Sequence, residues 1–330
     1  MTLVALALAC VVAAAVGTAI ARDYALRRNL LDQPGARRSH AVPTPRGGGI
    51  AIVAVLLAVL AGVAIADPFA RPLWLAAFVG LLLVAGVGWI DDHRALSPWL
   101  RLSVHAIAAV MLAVAVYAQQ QSVIAAAIAF VLAIVLVNVW NFMDGIDGLA
   151  ATQATVAAAG YALIAGSESA RWLAIALAAA CCGFLPFNAP RARIFLGDVG
   201  SGALGYLLAV IAVAVGSMND LGSVLLLLPL SAFILDAALT LISRMRRGER
   251  WWTPHVAHAY QRWARADGDH FRVTVAYLAW SVIAVVAMLG MSAGSRTVIM
   301  AAAIGWYLGG AIVWAWLQAR HGKALQDAQV

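Results

Sequence analysis

The feature that most constrains the fold is a series of long apolar segments that recurs along the whole chain. Windows of about 17–25 mostly apolar residues are long enough to span a bilayer as helices. They occur eleven times, at residues 2–21, 47–66, 73–90, 101–118, 122–141, 150–166, 172–188, 201–217, 221–243, 273–291 and 297–317. Charged residues make up 11% of the chain, against about 25% in soluble domains. The sequence therefore predicts an all-α integral membrane protein, a polytopic bundle of about eleven transmembrane helices forming one domain over residues 1–330.

The positive charges predict which helix ends face the cytoplasm. If the N-terminus lies outside, all but three of the 22 Lys and Arg residues fall on the inner side, and only Arg71, Arg171 and Arg296 fall outside. Because Lys and Arg concentrate on the cytoplasmic side, we predict an outer N-terminus and a cytoplasmic C-terminus. No Lys or Arg precedes the first apolar window, so it is predicted to be a retained helix. The net charge of +7 then favours anionic lipid and phosphate-bearing substrates as partners, and nucleic acid is not needed to explain it.

Four polar residues recur at every third position around the end of the fifth window, at Asn138, Asn141, Asp144 and Asp147. An Asp in hydrocarbon costs about 2.5–3.5 kcal/mol, so such residues need a reason. On a continuous helix Asp147 would lie opposite Asn138, but Gly145 and Gly148 are predicted to break the helix and return Asp147 to the same pocket. The alternative is a simple Asp-Gly turn. Two such pairs preceded by two amides exceed what a turn needs, so a functional site is favoured.

Two further acidic motifs lie at predicted inner helix ends. Asp91 and Asp92 are adjacent carboxylates, which repel each other and oppose the dipole of the helix that they end. A polar helix end is the plain alternative, but a neutralising cation is favoured. Asp198 lies in a Gly-Asp-x-Gly-Ser turn that opens a helix, where helix capping is a rival explanation. Arg191 and Arg193 precede this turn, and arginine suits bidentate contacts with phosphate.

Two basic segments are predicted on the same side of the membrane. Arg46 precedes three glycines, and in such a loop the backbone N–H groups and the helix start that follows can approach an anion. A flexible basic loop is the alternative. Near the end of the chain His255, His258 and Arg262 have the spacing of one face of a short helix. A solvated surface is the alternative there, but three donors below an acidic cluster favour contact with a diphosphate or a sugar.

Taken together, these residues predict a phosphoryl-transfer site on the cytoplasmic face. Four or five carboxylates share a pocket only with a divalent cation, and oxygen ligands suit Mg²⁺ or Mn²⁺. A metal ion with arginines and glycine-rich helix starts positions phosphates and neutralises their charge. One intramembrane acid, Asp236, stays unassigned at this point, since pairing with Arg244 and a place on the path of a lipid substrate both remain open.

The sequence also resembles a known superfamily, the polyprenyl-phosphate N-acetylhexosamine-1-phosphate transferases. The resemblance covers nearly the whole chain and is carried, in family order, by DQPGARRSH with PTPRGGG, WIDDHRALSP, NVWNFMDGIDGLA, RIFLGDVGS and PHVAHAYQR. It implies transfer of a sugar-1-phosphate from a UDP-N-acetylhexosamine to undecaprenyl phosphate, with release of UMP and with Mg²⁺ or Mn²⁺. It also implies a multi-pass protein of the bacterial cytoplasmic (inner) membrane with a cytoplasmic active site.

The same resemblance implies roles for individual residues. Asp198 matches the metal ligand, and Asp91 and Asp92 match the pair that engages or deprotonates the lipid phosphate; we also predict Asp92 as a metal ligand. The positions on the nucleotide side are matched by Asn141, Asp144 and Asp147, and the C-terminal histidine motif by His255 and His258. The predicted substrate-binding set is completed by Asn138, Arg46, Gly48, Arg193 and Arg262.

Departures from the family pattern narrow the prediction. The His-His-His-Phe-Glu run of the peptidoglycan enzyme is absent, which argues against a MurNAc-pentapeptide substrate. Ala95 stands where the family's Asp-Asp-x-x-Lys motif has its lysine, and Arg94 lies one position early. The final His-x-x-His-x-Tyr-Gln-Arg resembles O-antigen and capsule initiators that use 6-deoxy-N-acetylhexosamines.

Two other functional classes fit the sequence less well. A CDP-alcohol phosphotransferase needs Asp-Gly-x-x-Ala-Arg, but here Leu149 and Ala150 follow without that arginine. A transporter places polar residues near the bilayer midplane, whereas these acids, Asp236 apart, lie at inner helix ends. The sequence leaves open the sugar, the polysaccharide pathway, which acid acts as a base, and whether two copies form a homodimer.

Overall fold

The structure, a computed structural model, describes residues 2–33, 42–216, 223–250, 256–292 and 294–327. The helices in these residues are α1 (Leu3–Arg27), α2 (Ile50–Ala66), α3 (Arg71–His93), α4 (Pro98–Gln120), α5 (Val123–Met143), α6 (Leu149–Ile164), α7 (Glu168–Asn188), α8 (Asp198–Gly216), α9 (Ser223–Leu226), α10 (Ser231–Arg246), α11 (Ala259–Asp267), α12 (His270–Met291) and α13 (Arg296–Asp327). Two short antiparallel strands, β1 (Leu31–Asp32) and β2 (Thr44–Pro45), join α1 to α2.

The predicted all-α membrane fold is confirmed. Within the described residues, nine helical segments are long and apolar enough to cross a bilayer, counting Val224–Arg246 as one, and α2 and α6 are apolar but shorter. Each of the eleven predicted windows therefore contains a helix, and the chain is a multi-pass membrane protein. The number of crossings and the orientation of the termini stay predictions.

The ninth predicted window is among the nine segments long enough to cross a bilayer, but it is not one regular α-helix. In the described part of that window α9 gives way to a 3₁₀ turn at Leu228–Leu230, and α10 begins at Ser231. Pro229 lies inside this turn. Its ring removes a backbone N–H and clashes with the preceding turn, which breaks a regular α-helix.

Helix α8 forms the centre of the bundle. Within its apolar window 89% of the residues are buried, against 17% for α13 and 22% for α1. It packs against α3 and α5 on two sides and also contacts α2, α6 and α7. Because α8 begins at Asp198, this packing brings the first residue of α8 to the ends of α3 and α5, where the other predicted acidic motifs lie.

Glycines allow the helices around α8 to approach it closely. A Cβ atom at Gly88 in α3 would lie 2.4 Å from the carbonyl oxygen of Asp198, and one at Gly49 would lie 2.2 Å from the Cα of Gly200. At Gly205 a Cβ atom would lie 2.2 Å from the carbonyl oxygen of Leu136 in α5. Small residues at helix contacts are how membrane helices pack at short distance. The spacing of the acidic motifs is therefore set by backbone-to-backbone contact.

Replacing Gly88 by alanine is expected to destabilise the protein, because the new methyl group meets backbone that cannot rotate away. Overpacking of this kind costs about 1–3 kcal/mol. The matched control is Gly86→Ala in the same helix, since a Cβ atom at Gly86 meets nothing within 4 Å. Thermal unfolding of the two purified variants in detergent measures the difference. Equal unfolding temperatures would contradict close packing at Gly88.

Candidate active site

Asp92 joins the end of α3 to the start of α8. Its side chain is buried, at 3% exposure, and its two carboxylate oxygens accept hydrogen bonds from the N–H groups of Asp198 and Val199, both at 3.1 Å. These are orphan donors of the first turn of α8. Asp92 therefore opposes the dipole of its own helix but complements the dipole of α8. Arg46 adds a contact, because its guanidinium donates to the backbone carbonyl of Asp92.

The carboxylate of Asp198 is bound by side chains of α4 and α5. One oxygen lies 2.8 Å from Nη1 of Arg101, and the other accepts a hydrogen bond of 3.0 Å from Nδ2 of Asn141. The same Asn141 nitrogen lies 3.1 Å from Oγ of Ser201. Helix capping as the explanation of Asp198 is wrong, since Asp92 caps α8 instead.

Arg101 is a site residue that the sequence did not predict. Its Nη1 lies 2.8 Å from Asp91 and 2.8 Å from Asp198, so one guanidinium bridges two acidic motifs. Ser97 caps α4 by accepting from the N–H of Leu100 at 3.2 Å, and this helix start places Arg101 beside Asp91. The available signal was an arginine just inside an apolar window, ten residues after Asp91. Arg101 supplies a positive charge beside the acid pair, where Ala95 does not.

The two predicted asparagines differ in what they contact. Asn141 reaches Asp198, but Nδ2 of Asn138 donates to the carbonyl oxygen of Ile134 at 2.7 Å, within α5 itself. The side-chain amide of Asn138 is thus hydrogen-bonded within its own helix, one turn before Asn141. The structure brings Asn141 into the acidic cluster and gives no contact between Asn138 and that cluster in the described chain.

Asp144 is a carboxylate without a counterion among the described residues. It follows the last residue of α5 and is half-buried. Burial and the charges of Asp198, Asp92 and Asp147 raise its pKa to about 8. No hydrogen bond or ion pair to its side chain exists among the described residues. With this pKa the acid is mostly protonated at neutral pH, and a cation bound beside it would favour the ionised carboxylate.

Asp147 connects the loop after α5 to the segment before α8 and to α12. Its carboxylate accepts from the N–H of Ala192 at 3.1 Å and lies 3.5 Å from Nδ1 of His270, while its backbone carbonyl accepts from Thr274. The predicted break in the helix is confirmed, because α5 ends at Met143 and Gly148 adopts a φ of +73°. This break directs Asp147 to the segment before Arg193 and to the start of α12.

The glycine loop does not present its amides to an anion as expected. The N–H of Gly48 donates to Phe195 at 2.9 Å, and that of Gly49 donates to Leu196 at 2.8 Å. These two amides are already used to hold the loop beside the segment that leads into α8, so that part of the expectation is wrong. Arg193 is also engaged locally, since its Nη2 donates to Pro186 and its guanidinium lies 5.0 Å from the ring centre of Phe187.

The predicted helical face of His255, His258 and Arg262 is wrong at its start. Helix α11 begins at Ala259, so His258 precedes it in an extended conformation. The ring of His258 is buried and stacks on Phe142 with a centroid distance of 6.3 Å. Arg262 lies half-buried in α11. His255 lies outside the described residues, as do residues 34–41 of the first motif.

Asp236 does not depend on Arg244, which forms its ion pair with Glu249 at 2.7 Å. Asp236 is buried and lies 3.8 Å from Nδ1 of His258. Pairing with Arg244, one of the two alternatives left by the sequence, is therefore wrong.

Comparison with known proteins agrees with this geometry. Residues 74–216, which include Asp91, Asp92, the Asn141–Asp147 segment and Asp198, match Glycosyl transferase family 4. An undecaprenyl-phosphate alpha-N-acetylglucosaminyl 1-phosphate transferase of Thermotoga maritima is 30% identical over 257 residues, covering 76% of this chain and 78% of that protein. This chain belongs to glycosyl transferase family 4.

Other relatives in glycosyl transferase family 4 are similar over most of their length. The decaprenyl-phosphate N-acetylglucosaminephosphotransferase of Mycobacterium tuberculosis is 28% identical over 304 residues, or 78% of this chain and 75% of that protein. A probable undecaprenyl-phosphate N-acetylglucosaminyl 1-phosphate transferase of Bacillus subtilis is 26% identical over 294 residues, or 84% and 81%. As a member of this family, the chain is a membrane enzyme.

The donor set fits a hard divalent cation, although it is not a closed metal site. Among the described residues no three Asp, Glu, His or Cys side chains converge on one position. The carboxyl groups of Asp144 and its neighbour Asp198 would supply the oxygen ligands. Mg²⁺ typically uses one or two carboxylates and completes its shell with water and substrate phosphates. Asp92 accepts hydrogen bonds from α8 amides on both oxygens, and its role as a metal ligand stays a prediction.

Replacing Asp144 by asparagine is expected to raise thermal stability while it lowers activity. The pKa of Asp144 is about 8 in the folded protein, against about 4 when unfolded. Between these values the folded state binds more protons, so the free energy of unfolding falls as pH rises. The asparagine variant has no titrating group at this position, so its free energy of unfolding does not fall with pH for this reason.

Unfolding of both proteins without divalent cations tests this expectation at two pH values. The stability advantage of Asp144→Asn over wild type should be larger at about pH 8.5 than at about pH 5.5, because the penalty accumulates between the two pKa values. Added Mg²⁺ should raise the wild-type unfolding temperature more than that of the variant. A gap that is constant with pH would contradict the raised pKa.

Proposed function

We propose that this protein transfers an N-acetylhexosamine-1-phosphate from a UDP-sugar to undecaprenyl phosphate and releases UMP. The observation that carries the proposal is the convergence of Asp91, Arg101, Asn141 and Asp198 at one end of the central helix of a membrane bundle. The relatives named above transfer N-acetylglucosamine phosphate to decaprenyl or undecaprenyl phosphate. A site at helix ends suits one substrate in the membrane and one in water.

The reaction exchanges one phosphoanhydride bond for another. An oxygen of the lipid phosphate forms a bond to the sugar-bearing phosphorus of the UDP-sugar. The bond between that phosphorus and the bridging oxygen breaks, and UMP leaves with the electron pair. Such transfers depend on positioning and on charge neutralisation more than on covalent chemistry by the protein.

The chain's own residues divide this work. Arg101 offers a guanidinium to phosphate oxygens beside Asp91, on the side proposed for the lipid phosphate. Asp198 and Asp144 would hold Mg²⁺ or Mn²⁺, which supplies positive charge to the diphosphate. Asn141 holds the carboxylate of Asp198 in place. Asp147, in the same loop as Asp144, and His258, whose ring stacks on Phe142, are on the side proposed for the nucleotide sugar.

The proposed biological product is a lipid-linked sugar that begins a surface polysaccharide. The His-x-x-His-x-Tyr-Gln-Arg form of the last motif supports a 6-deoxy-N-acetylhexosamine and an O-antigen or capsule pathway. The distribution of Lys and Arg supports an active site on the cytoplasmic face of the bacterial inner membrane.

A panel of UDP-sugars with purified protein and undecaprenyl phosphate tests the proposal. UMP and the mass of the lipid product are measured with Mg²⁺, with Mn²⁺ and with EDTA. We expect metal-dependent formation of UMP and one sugar-phosphoryl lipid, fastest with one N-acetylhexosamine. Formation of CMP from a CDP-alcohol, or lipid-sugar flux across vesicles without UMP, would overturn it.

A further inference from the structure

We propose that Asp236 and Tyr260 are positioning residues. They hold the segment around His258 against the end of α5 beside Asp144 and thereby set the affinity for the UDP-sugar. The inference rests on the proposed function for the identity of that ligand. It concerns residues that lie outside the acidic cluster itself, in α10 and at the start of α11.

Asp236 is a buried carboxylate with an unusual set of donors. Its side chain is 2% exposed, and it accepts hydrogen bonds from Ala259 N (2.8 Å), Tyr260 N (3.1 Å), Tyr277 Oη (2.8 Å), Trp314 Nε1 (3.1 Å) and Thr240 Oγ1 (3.2 Å). These donors come from α10, α11, α12 and α13. One carboxylate therefore ties a short surface helix to three helices of the bundle.

The first turn of α11 depends on this carboxylate. His258 occupies the N-cap position, but its side chain makes no capping hydrogen bond. Asp236 instead accepts from the first two N–H groups of the helix, as Asp92 does for α8. With nine residues, α11 is shorter than the 12–15 or so that an isolated helix needs to be even marginally stable in water. Its position is thus set by contacts with the bundle.

Tyr260 connects the start of α11 to the segment that contains Asp144. Its hydroxyl donates to the carbonyl oxygen of Phe142 at 2.9 Å, near the end of α5 and two residues before Asp144. A Cβ atom at Gly145 would lie 2.3 Å from that hydroxyl, so the tyrosine fills the space next to Asp144. The ring of His258 stacks on both Phe142 and Tyr260, with centroid distances of 6.3 and 5.8 Å. The chain of contacts runs from Asp236 through Tyr260 to the Asp144 segment.

This geometry predicts a kinetic effect as well as a structural one. The hydroxyl of Tyr260 joins the His258 segment to the end of α5 beside Asp144, on the side proposed for the nucleotide sugar. Arg101 and Asp91 are on the side proposed for the lipid phosphate. Loosening the Tyr260 contact should therefore weaken binding of one substrate and leave binding of the other unchanged.

Tyr260→Phe removes the hydroxyl and keeps the buried ring. The matched control is Tyr161→Phe, because Tyr161 is also fully buried and its hydroxyl also donates to a backbone carbonyl, that of Leu226, away from the site. One hydrogen bond contributes about 0.5–1.5 kcal/mol, so the KM for the UDP-sugar should rise about 2- to 13-fold in Tyr260→Phe. The kcat and the KM for undecaprenyl phosphate should stay near wild type, and Tyr161→Phe should change none of the three.

A double-mutant cycle with Gly145→Ala tests the contact directly. The added methyl group meets the Tyr260 hydroxyl at 2.3 Å but its ring carbon Cζ only at 3.2 Å. Gly145→Ala should therefore raise the KM for the UDP-sugar strongly in the wild-type protein and less on top of Tyr260→Phe. Additive effects, or a Tyr260→Phe variant with unchanged KM, would overturn the inference.

Amide hydrogen exchange separates this inference from the proposed function, because it needs no turnover. Peptides covering 256–267 should exchange faster in Tyr260→Phe and in Asp236→Asn than in wild type or in Tyr161→Phe. Unchanged exchange would overturn the positioning role even if UMP is formed. Faster exchange in a protein that forms no UMP from any UDP-sugar would instead contradict the proposed function and support the positioning role.

Discussion

Asp198→Asn is expected to lose about a thousandfold in kcat, as removal of a charged group at a metal and phosphate centre does. The carboxylate of Asp198 receives Arg101 on one oxygen and Asn141 on the other, and it is the proposed metal ligand. An amide keeps the shape but not the charge. The helix start should survive, because the side chain that caps α8 belongs to Asp92.

The measurement is UMP release as a function of Mg²⁺ concentration, with thermal unfolding to show that the variant is folded. Asp67→Asn serves as a charge-matched control, since Asp67 is half-buried between α2 and α3 and bonds only to Ala70, Trp74 and Ser169 among the described residues. Its kcat should stay near wild type. A folded Asp198→Asn protein with wild-type turnover would refute the role given to this carboxylate.

Arg101→Gln is expected to reduce kcat/KM about a hundredfold, the effect of removing one preorganised donor from a charged transition state. The substitution leaves Asp91 and Asp198 without the cation that they share. Arg101→Lys should recover only part of the loss, because an ammonium is a point charge and cannot reproduce the planar fork of a guanidinium.

The control for this prediction is Arg94→Gln. Arg94 is the other arginine near the position of the missing lysine, but it is exposed and makes no side-chain contact with the acid pair in the described residues. Activity assays with each substrate varied in turn should show a large loss for Arg101→Gln and little for Arg94→Gln. The reverse order would assign the lysine's role to Arg94.

The membrane helices and the acidic motifs were predictable from sequence because both signals are local. An apolar window is visible within about 20 residues, and the Asp-Gly pairs that end α5 lie next to each other. The roles of Asp92 and Asp236 were not predictable. Capping rules assign a cap to the residues beside a helix start, whereas Asp92 lies 106 residues from Asp198 and Asp236 lies 23 residues from Ala259.

Arg101 escaped prediction for a related reason. In the count of positive charges that predicts membrane orientation, Arg101 is equivalent to any other arginine on the inner side. Its value comes from the packing of α3, α4 and α8, which places Asp91 and Asp198 on the same guanidinium nitrogen. For the Gly48 and Gly49 amides the sequence predicted a function that the structure does not give them. A motif typical of anion binding attaches one loop to another here.

The backbone contacts at Gly49 and Gly88 imply a division between fixed and adjustable parts of the enzyme. Neither α2 nor α3 can slide along α8 without a collision at these glycines, so the phosphate end of the pocket has almost no freedom to change shape. The segment around α11 is attached by a few side chains and is free to diverge. We therefore expect related enzymes to acquire new sugar preferences through this segment while the phosphate chemistry stays constant.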